Sequence, residues 1–202
     1  MKLFHSPTSP YVRKVMVLLK ETGQAADVEL IPAAGSPVDP GTMPTGYNPL
    51  GKIPALVLDD GLVLYDSRVI CQFLDDRAGG GLFPAPPLRW RCLTLESLAD
   101  GILDAAVLMR YESVVRPEEI RLEAWVEGQW SKIRRALDAA ESDWIGHLTG
   151  PLDMGQVALG CALGYLDFRF GARNWRDGRP SLAAWEAELA RRPSMHATAP
   201  HD

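Results

Sequence analysis

The sequence lacks three features: a long apolar run, an excess of positive charge and closely spaced cysteines. A membrane-spanning helix needs about 20 consecutive apolar residues, and no run approaches that length. The N-terminal MKLFHS has no apolar segment typical of a signal peptide. The net charge of -5 argues against nucleic-acid binding, which needs a basic face. We therefore expect a cytoplasmic protein that binds neither a membrane nor nucleic acid.

Cysteines and histidines give no sign of a metal or redox centre. The three cysteines, Cys71, Cys92 and Cys161, lie far apart in apolar stretches. No pair has the spacing of a metal or redox motif, so buried, reduced thiols are expected. The four histidines show no ligand spacing either. The sequence therefore predicts no metal and no permanently bound cofactor.

Strand and helix signals alternate in the first 78 residues. Strand patterns cover 2–5, 28–31, 55–58 and 62–64, and helical patterns cover 10–23 and 66–77. This order, βαβ followed by ββα, predicts an α/β domain with a four-stranded mixed sheet and helices on its faces.

A Gly/Pro-rich segment, 79–87, is the one clear break in composition and is predicted to be a linker. Beyond it, only helical patterns occur, at 88–112, 116–141, 151–168 and 180–191. The third of these is apolar on almost every side, which is typical of the centre of a helical bundle. We expect an all-helical domain over 88–202, with 194–202 as a loosely held tail.

Three sites in the α/β domain could bind a ligand. Ser9 precedes Pro10 at a helix start, where free amides and the helix dipole stabilise an anion such as a thiolate; it could equally be a plain helix cap. Pro54, in NPLGKIPAL, either forms a cis bond that frees the backbone before it or simply opens an edge strand. Asp66 and Ser67 begin a further helix. They either only cap it or bind a ligand, with Asp66 binding an ammonium and Ser67 a carboxylate.

Taken together, the strings SPTSPYVRKV, NPLGKIPAL, LYDSRVICQFL and LDMGQVALGCALGYLDFR resemble those of the cytosolic glutathione transferases. The resemblance spans essentially the whole chain. It implies a thioredoxin-like N-terminal domain at 1–78, a linker at 79–87 and a helical domain at 88–202 that contributes the electrophile site. It also implies that Pro54 is cis.

The same resemblance assigns roles to single residues. Ser9 is similar to the hydroxyl that hydrogen-bonds the sulfur of glutathione in serine-type members, although some relatives use a position equivalent to Ser6. Ile53 matches the residue whose backbone pairs with the cysteinyl part, next to Pro54. The remaining glutathione contacts that it implies are Lys52 for the glycyl carboxylate, and Asp66 and Ser67 for the γ-glutamyl end.

The implied activity is conjugation of the glutathione thiolate to an electrophilic, mostly apolar small molecule, with glutathione as co-substrate. Tyr111 is expected at the electrophile site, and a homodimer is expected with the helix of residues 91–100 at its interface. The alternatives are a non-catalytic glutathione-binding protein and a glutathione-dependent peroxidase or thiol reductase. Positions 6 and 9 hold serine and not cysteine, so chemistry that needs a protein thiolate at this site is disfavoured.

Overall fold

A computed structural model describes all 202 residues, which form two compact units. The first consists of residues 1–84 together with 193–202, and the second consists of 85–192. The last ten residues thus belong with the α/β unit, whereas the sequence placed them with the helices. No helix has both the length and the apolar composition that crossing a membrane requires.

The first unit contains a four-stranded mixed sheet with the strand order β2–β1–β3–β4. Its elements up to residue 77 are β1 (Lys2–His5), α1 (Pro10–Glu21), β2 (Glu29–Pro32), β3 (Ala55–Val57), β4 (Val63–Leu64) and α2 (Ser67–Arg77). Strand β1 is parallel to β2 and antiparallel to β3, and β3 is antiparallel to β4. The predicted βαβ–ββα arrangement is confirmed.

Helix α1 begins and ends where its sequence dictates. The Ser9 side chain caps the first turn and Pro10 takes the first helical position, where its missing N–H costs nothing. Val12, Val15 and the run from Val17 to Leu19 are buried in the core, and Met16 is half-buried. The chain leaves the helix at Gly23, whose φ of +71° suits glycine.

The second unit contains only helices. They are α3 (Leu88–Val115), α4 (Glu123–Asp143), α5 (Ile145–Leu148), α6 (Met154–Phe170) and α7 (Pro180–Leu189). Helix α3 packs against both α4 and α6. Helix α6 is buried from Met154 to Leu163, as its apolar composition predicted.

The start of α4 differs from the prediction. We expected this helix to begin near Arg116, but α3 continues to Val115 and α4 begins at Glu123. Glu112 explains the difference, because its buried carboxylate accepts hydrogen bonds from the Arg116 side chain (2.8 Å) and the Leu122 amide (3.0 Å). These two bonds close the α3–α4 connection as a turn, an arrangement that periodicity does not reveal.

The start of α6 also differs from the prediction. The helical pattern begins at residue 151, but the helix begins at Met154, and Asp153 is its cap. Oδ1 of Asp153 accepts a hydrogen bond from the Gln156 amide at 3.0 Å. Its Oδ2 lies 2.7 Å from Nε2 of His147. The carboxylate satisfies a free amide of the first turn and so fixes where the helix begins.

The expectation of a loose C-terminal tail is wrong. Residues Pro193–His196 form a short helix, α8, that packs on α1. Ser194 and Met195 are buried. The Arg13 side chain donates to the Met195 carbonyl (3.2 Å), and the Ser194 hydroxyl donates to the Glu21 carboxylate. These long-range contacts hold the end of the chain on the α/β unit.

Candidate functional site

Three loops meet at one edge of the sheet. Phe4 of β1 pairs with Ala55 of β3, so the end of β1 lies beside the start of β3. Leu64 of β4 pairs with Leu56, so the end of β4 lies at the same edge. The loops at this edge carry Ser6 and Ser9, Lys52 to Pro54, and Asp66 with Ser67. Strand pairing therefore brings together the positions that the sequence singled out in the α/β domain.

Ser9 presents a hydroxyl hydrogen at the start of α1. Its oxygen accepts a hydrogen bond from the Val12 amide at 3.3 Å, and its own amide donates to the Ser6 carbonyl at 3.1 Å. Since the cap uses only the oxygen as acceptor, the hydroxyl hydrogen remains available to a ligand. The positive end of the helix dipole lies at the same place. This setting favours an anion such as a thiolate.

Ser6 lies in the same loop with a different role. Its Oγ is 3.0 Å from Oγ1 of Thr8 and also accepts a hydrogen bond from the Thr8 amide at 3.4 Å. Ser6 therefore supports the turn, whereas Ser9 begins the helix. His5 immediately precedes this loop, and burial lowers the pKa of its imidazole, which favours the neutral form.

The Ile53–Pro54 peptide bond is cis, as the resemblance implied. Ile53 lies outside the regular strands, and its amide and carbonyl form no hydrogen bond with other backbone groups. Both groups can therefore pair with a peptide-like ligand. The loop before it is held by Asn48, which is only 2% exposed. Asn48 donates to the Lys52 carbonyl (2.9 Å) and accepts from the Leu50 amide (3.1 Å).

Asp66 is the cap of α2. Its Oδ1 accepts the Arg68 amide at 3.0 Å, and its Oδ2 lies 2.8 Å from Nη2 of the Arg68 side chain. Burial raises the pKa of Asp66, but the hydrogen bonds from Arg68 outweigh this, with help from the charge of Lys14, so the pKa lies below its ordinary value. Ser67 is buried at the first helical position. The site thus holds a carboxylate beside free helix amides.

Sequence reasoning missed three contributors to this edge. Arg68 binds the Asp66 carboxylate, and its charge two residues after an aspartate was a usable signal. Asn48 organises the loop that leads to Pro54, and the nearby Gly51, with φ +59°, marks the turn. Lys14 acts on Asp66 from α1 although it is fully buried. No local pattern predicts this electrostatic effect, because it acts between residues of different segments of the chain.

Comparison with known proteins agrees with this geometry. Residues 8–77 match the model of the glutathione S-transferase N-terminal domain, and residues 123–188 match that of the C-terminal domain. A solved structure of a glutathione transferase family member from Pseudomonas fluorescens Pf-5 is 53% identical with a TM-score of 0.97. That alignment covers 100% of this chain and 99% of the other, and the structure contains bound glutathione. This chain belongs to the glutathione S-transferase family.

A second structure from Pseudomonas fluorescens and one further relative agree with membership of the glutathione S-transferase family. The second structure, of a Pseudomonas fluorescens Pf-5 family member, contains bound S-(propanoic acid)-glutathione. It is 52% identical to this chain with a TM-score of 0.93, and the alignment covers 100% of both chains. The uncharacterized GST-like protein YibF of Escherichia coli K12 is 36% identical over 99% of this chain and 98% of its own length. The similarity therefore extends over both units.

Tyr111 belongs to the helical unit of this family member. It lies on α3 and is half-buried. Its expected place at the electrophile site remains a prediction.

Proposed function

We propose that this chain is a glutathione transferase that conjugates the glutathione thiolate to an electrophilic small molecule. The observation that carries the proposal is the sheet edge where Ser9, the Ile53 backbone and the Asp66–Ser67 helix start lie side by side. Together they offer a hydroxyl donor, a peptide-like pairing segment and a site for a charged amino-acid end. The glutathione bound to the 53% identical Pseudomonas fluorescens protein supports this ligand.

Each end of the tripeptide has a suitable partner. In the proposal, Asp66 binds the γ-glutamyl ammonium, while Ser67 and the start of α2 bind the γ-glutamyl carboxylate. The Ile53 backbone, shaped by the cis bond to Pro54, pairs with the cysteinyl residue. Lys52, which is exposed, pairs with the glycyl carboxylate. Glutathione is thereby a co-substrate, and the step needs no permanently bound cofactor.

The chemical step begins with the thiol. The Ser9 hydroxyl donates to the sulfur, and the dipole of α1 lowers the pKa of the thiol below its ordinary value of about 8.5. The proton leaves to solvent. The thiolate then forms a carbon–sulfur bond while a leaving group departs with its electron pair, or while a π pair moves to the neighbouring carbon and takes up a proton.

The conjugate bound to a similar protein supports a reaction that forms a carbon–sulfur bond. The S-(propanoic acid)-glutathione in the Pseudomonas fluorescens protein has an organic substituent on sulfur. We propose that products of this chain include conjugates of this type. Peroxide or disulfide reduction would give oxidised glutathione instead. The three cysteines of this chain are all buried, so none is placed to form a mixed disulfide readily.

The proposed assembly is a homodimer with residues 91–100 of α3 at the interface. Large apolar side chains are exposed immediately before this segment, with Trp90 63% exposed and Leu88 56% exposed. Such exposure supports an interface. Light scattering that gives the mass of one chain, with no concentration dependence, would contradict this assembly.

The experiment that tests the function combines glutathione binding by calorimetry with an assay on a panel of electrophiles. We expect wild-type binding and turnover. Ser9→Ala should bind glutathione nearly as tightly as wild type and lose most turnover, whereas Ser6→Ala should keep wild-type turnover. Binding without turnover on any electrophile would identify a non-catalytic protein, and oxidised glutathione in a peroxide assay would identify a reductase. Full activity of Ser9→Ala with loss in Ser6→Ala would move the catalytic role to Ser6.

A further inference from the structure

One buried side-chain amide, that of Asn48, anchors a loop at the edge of the sheet. Asn48 is 2% exposed, and both of its polar side-chain atoms are used. Its Nδ2 donates to the Lys52 carbonyl (2.9 Å), and its Oδ1 accepts from the Leu50 amide (3.1 Å). Its main-chain amide donates to the Pro44 carbonyl (2.8 Å), and its carbonyl accepts from the Gly51 amide (2.9 Å). These hydrogen bonds hold Asn48 in one orientation.

The arrangement around Asn48 is local to one loop. Its hydrogen-bond partners all lie within residues 44–52. Gly51 has a φ of +59°, a conformation that glycine adopts at no steric cost, and this turn brings the Lys52 carbonyl back to the Asn48 side chain. A substitution of Asn48 should therefore act on this loop first, and on the loops of Ser9 and Asp66 much less.

The hydrogen bond to the Lys52 carbonyl also fixes the direction of the Ile53 amide. The Lys52 carbonyl and the Ile53 amide belong to one trans peptide unit. Such a unit is planar, and its C=O and N–H point in opposite directions. Because Asn48 holds the carbonyl on one side, the Ile53 N–H points to the other side. This N–H donates to no other backbone group, so a ligand can accept its hydrogen bond.

We propose that Asn48 is a positioning residue for glutathione, which directs the Ile53 amide toward the cysteinyl carbonyl of the tripeptide. This inference rests on the proposed function and adds a residue that acts through the Lys52–Ile53 peptide. Without the hydrogen bond from Asn48, this peptide can rotate, and the Ile53 N–H faces the ligand for only a fraction of the time. The affinity for glutathione falls by that fraction.

The role requires a hydrogen-bond donor at position 48. The Lys52 carbonyl can only accept, so its partner must donate. Aspartate has the same shape as asparagine, but its ionised carboxylate can only accept. In Asn48→Asp, the carboxylate repels the Lys52 carbonyl and attracts the Ile53 N–H, which turns the amide away from the ligand. Asn48→Asp should therefore lose more affinity for glutathione than Asn48→Ala.

The test uses three ligands that differ in what they offer to the Ile53 amide. Calorimetry on the full chain measures the affinity for glutathione, for γ-glutamylcysteine amide, which keeps the cysteinyl carbonyl but lacks glycine, and for γ-glutamylcysteamine, which lacks both. Asn48→Ala should weaken binding of the first two by about tenfold, the order expected for one hydrogen bond. Binding of γ-glutamylcysteamine should be unchanged, because this ligand has no cysteinyl carbonyl.

Gln24 provides a matched control. It is a second buried side-chain amide of the same unit, 6% exposed, and it donates to the Leu74 carbonyl at 2.8 Å. Gln24→Ala should lower the unfolding temperature, as Asn48→Ala should, yet keep wild-type affinity for all three ligands. In the conjugation assay, Asn48→Ala should raise the KM for glutathione about tenfold and keep kcat, because it removes binding and leaves Ser9 in place.

Failure of this inference and failure of the proposed function give different results. An equal loss of affinity for all three ligands in Asn48→Ala would show a general disturbance of the site and overturn the positioning role. Wild-type affinity for glutathione in both Asn48→Ala and Asn48→Asp would overturn it as well. In these cases glutathione binding by wild type still stands. If wild type binds neither glutathione nor the two analogues, the proposed function itself is wrong.

Discussion

The side chain of Arg68 holds the carboxylate of Asp66 at two points, with Nη2 2.8 Å from Oδ2 and Nε 3.4 Å from Oδ1. The same carboxylate caps α2 through the Arg68 amide. Asp66 thus begins a helix and presents a negative charge at the proposed glutathione site. Its charged form is stabilised before any ligand arrives.

Replacing Asp66 with Asn should change how stability depends on pH. The folded-state pKa of Asp66 is lowered, so its charge stabilises the fold above the unfolded pKa of about 3.9. That contribution disappears as the pH falls through the folded value. Because Asn preserves the cap, Asp66→Asn should be less stable than wild type near neutral pH and equal to it in strong acid.

Urea unfolding at a series of pH values measures this difference. Asp76→Asn, on the same helix, is a charge-matched control and should follow the wild-type profile. If the difference in free energy of unfolding between wild type and Asp66→Asn widened as the pH falls, this would be inconsistent with the lowered pKa of Asp66.

Substitutions of Ser9 should separate its two roles. Ser9→Ala removes both the cap and the hydroxyl that we propose donates to the glutathione sulfur, and it should cost about 1 kcal/mol of stability. Ser9→Gly should cost only a few tenths of a kcal/mol, since glycine is a fair cap. Both should lose most conjugation activity. Thermal unfolding beside a conjugation assay tests this, and activity that tracked stability would mean that Ser9 is only a cap.

Asp153 should be a strong determinant of stability. Asp153→Ala removes the acceptor for the Gln156 amide and leaves His147 without its partner, so we expect a loss of about 2–4 kcal/mol. Asp153→Asn keeps an acceptor for the amide and should lose less. Chemical unfolding of both variants measures the two costs, and equal losses would show that the cap contributes nothing separate.

Gly155 and Gly128 should respond to alanine in opposite ways. A Cβ at Gly155 would lie 2.6 Å from the Cys92 carbonyl oxygen and 2.9 Å from Cβ of Leu95, where α6 meets α3. Gly155→Ala should therefore destabilise the chain by about 1–3 kcal/mol. Gly128 is exposed within α4 with no atom within 4 Å of its added Cβ, so Gly128→Ala should stabilise by about 0.5–1 kcal/mol.

Urea unfolding of these two glycine variants provides the comparison. A neutral Gly155→Ala would show that α3 and α6 can separate at little cost.

Local chemistry was sufficient where one short segment decides the structure. Ser9 and Pro10 begin α1, Asp66 begins α2, and the apolar residues of α6 place it in the interior, all as expected. The sequence failed where a distant partner decides. The turn before α4 depends on the Glu112 carboxylate, and the ordered C-terminus depends on its packing against α1.

The sequence by itself determined the order of elements, the helix caps and the resemblance that assigned glutathione to Ser9, Ile53 and Asp66. These follow from short-range rules, in which a side chain acts on amides a few residues away. Tertiary structure alone decided that strand pairing places the three loops at one edge, that the charge of Lys14 helps to lower the pKa of Asp66, and that α8 packs on α1. Such relationships join residues that are far apart in the chain, and only tertiary packing brings these residues close together.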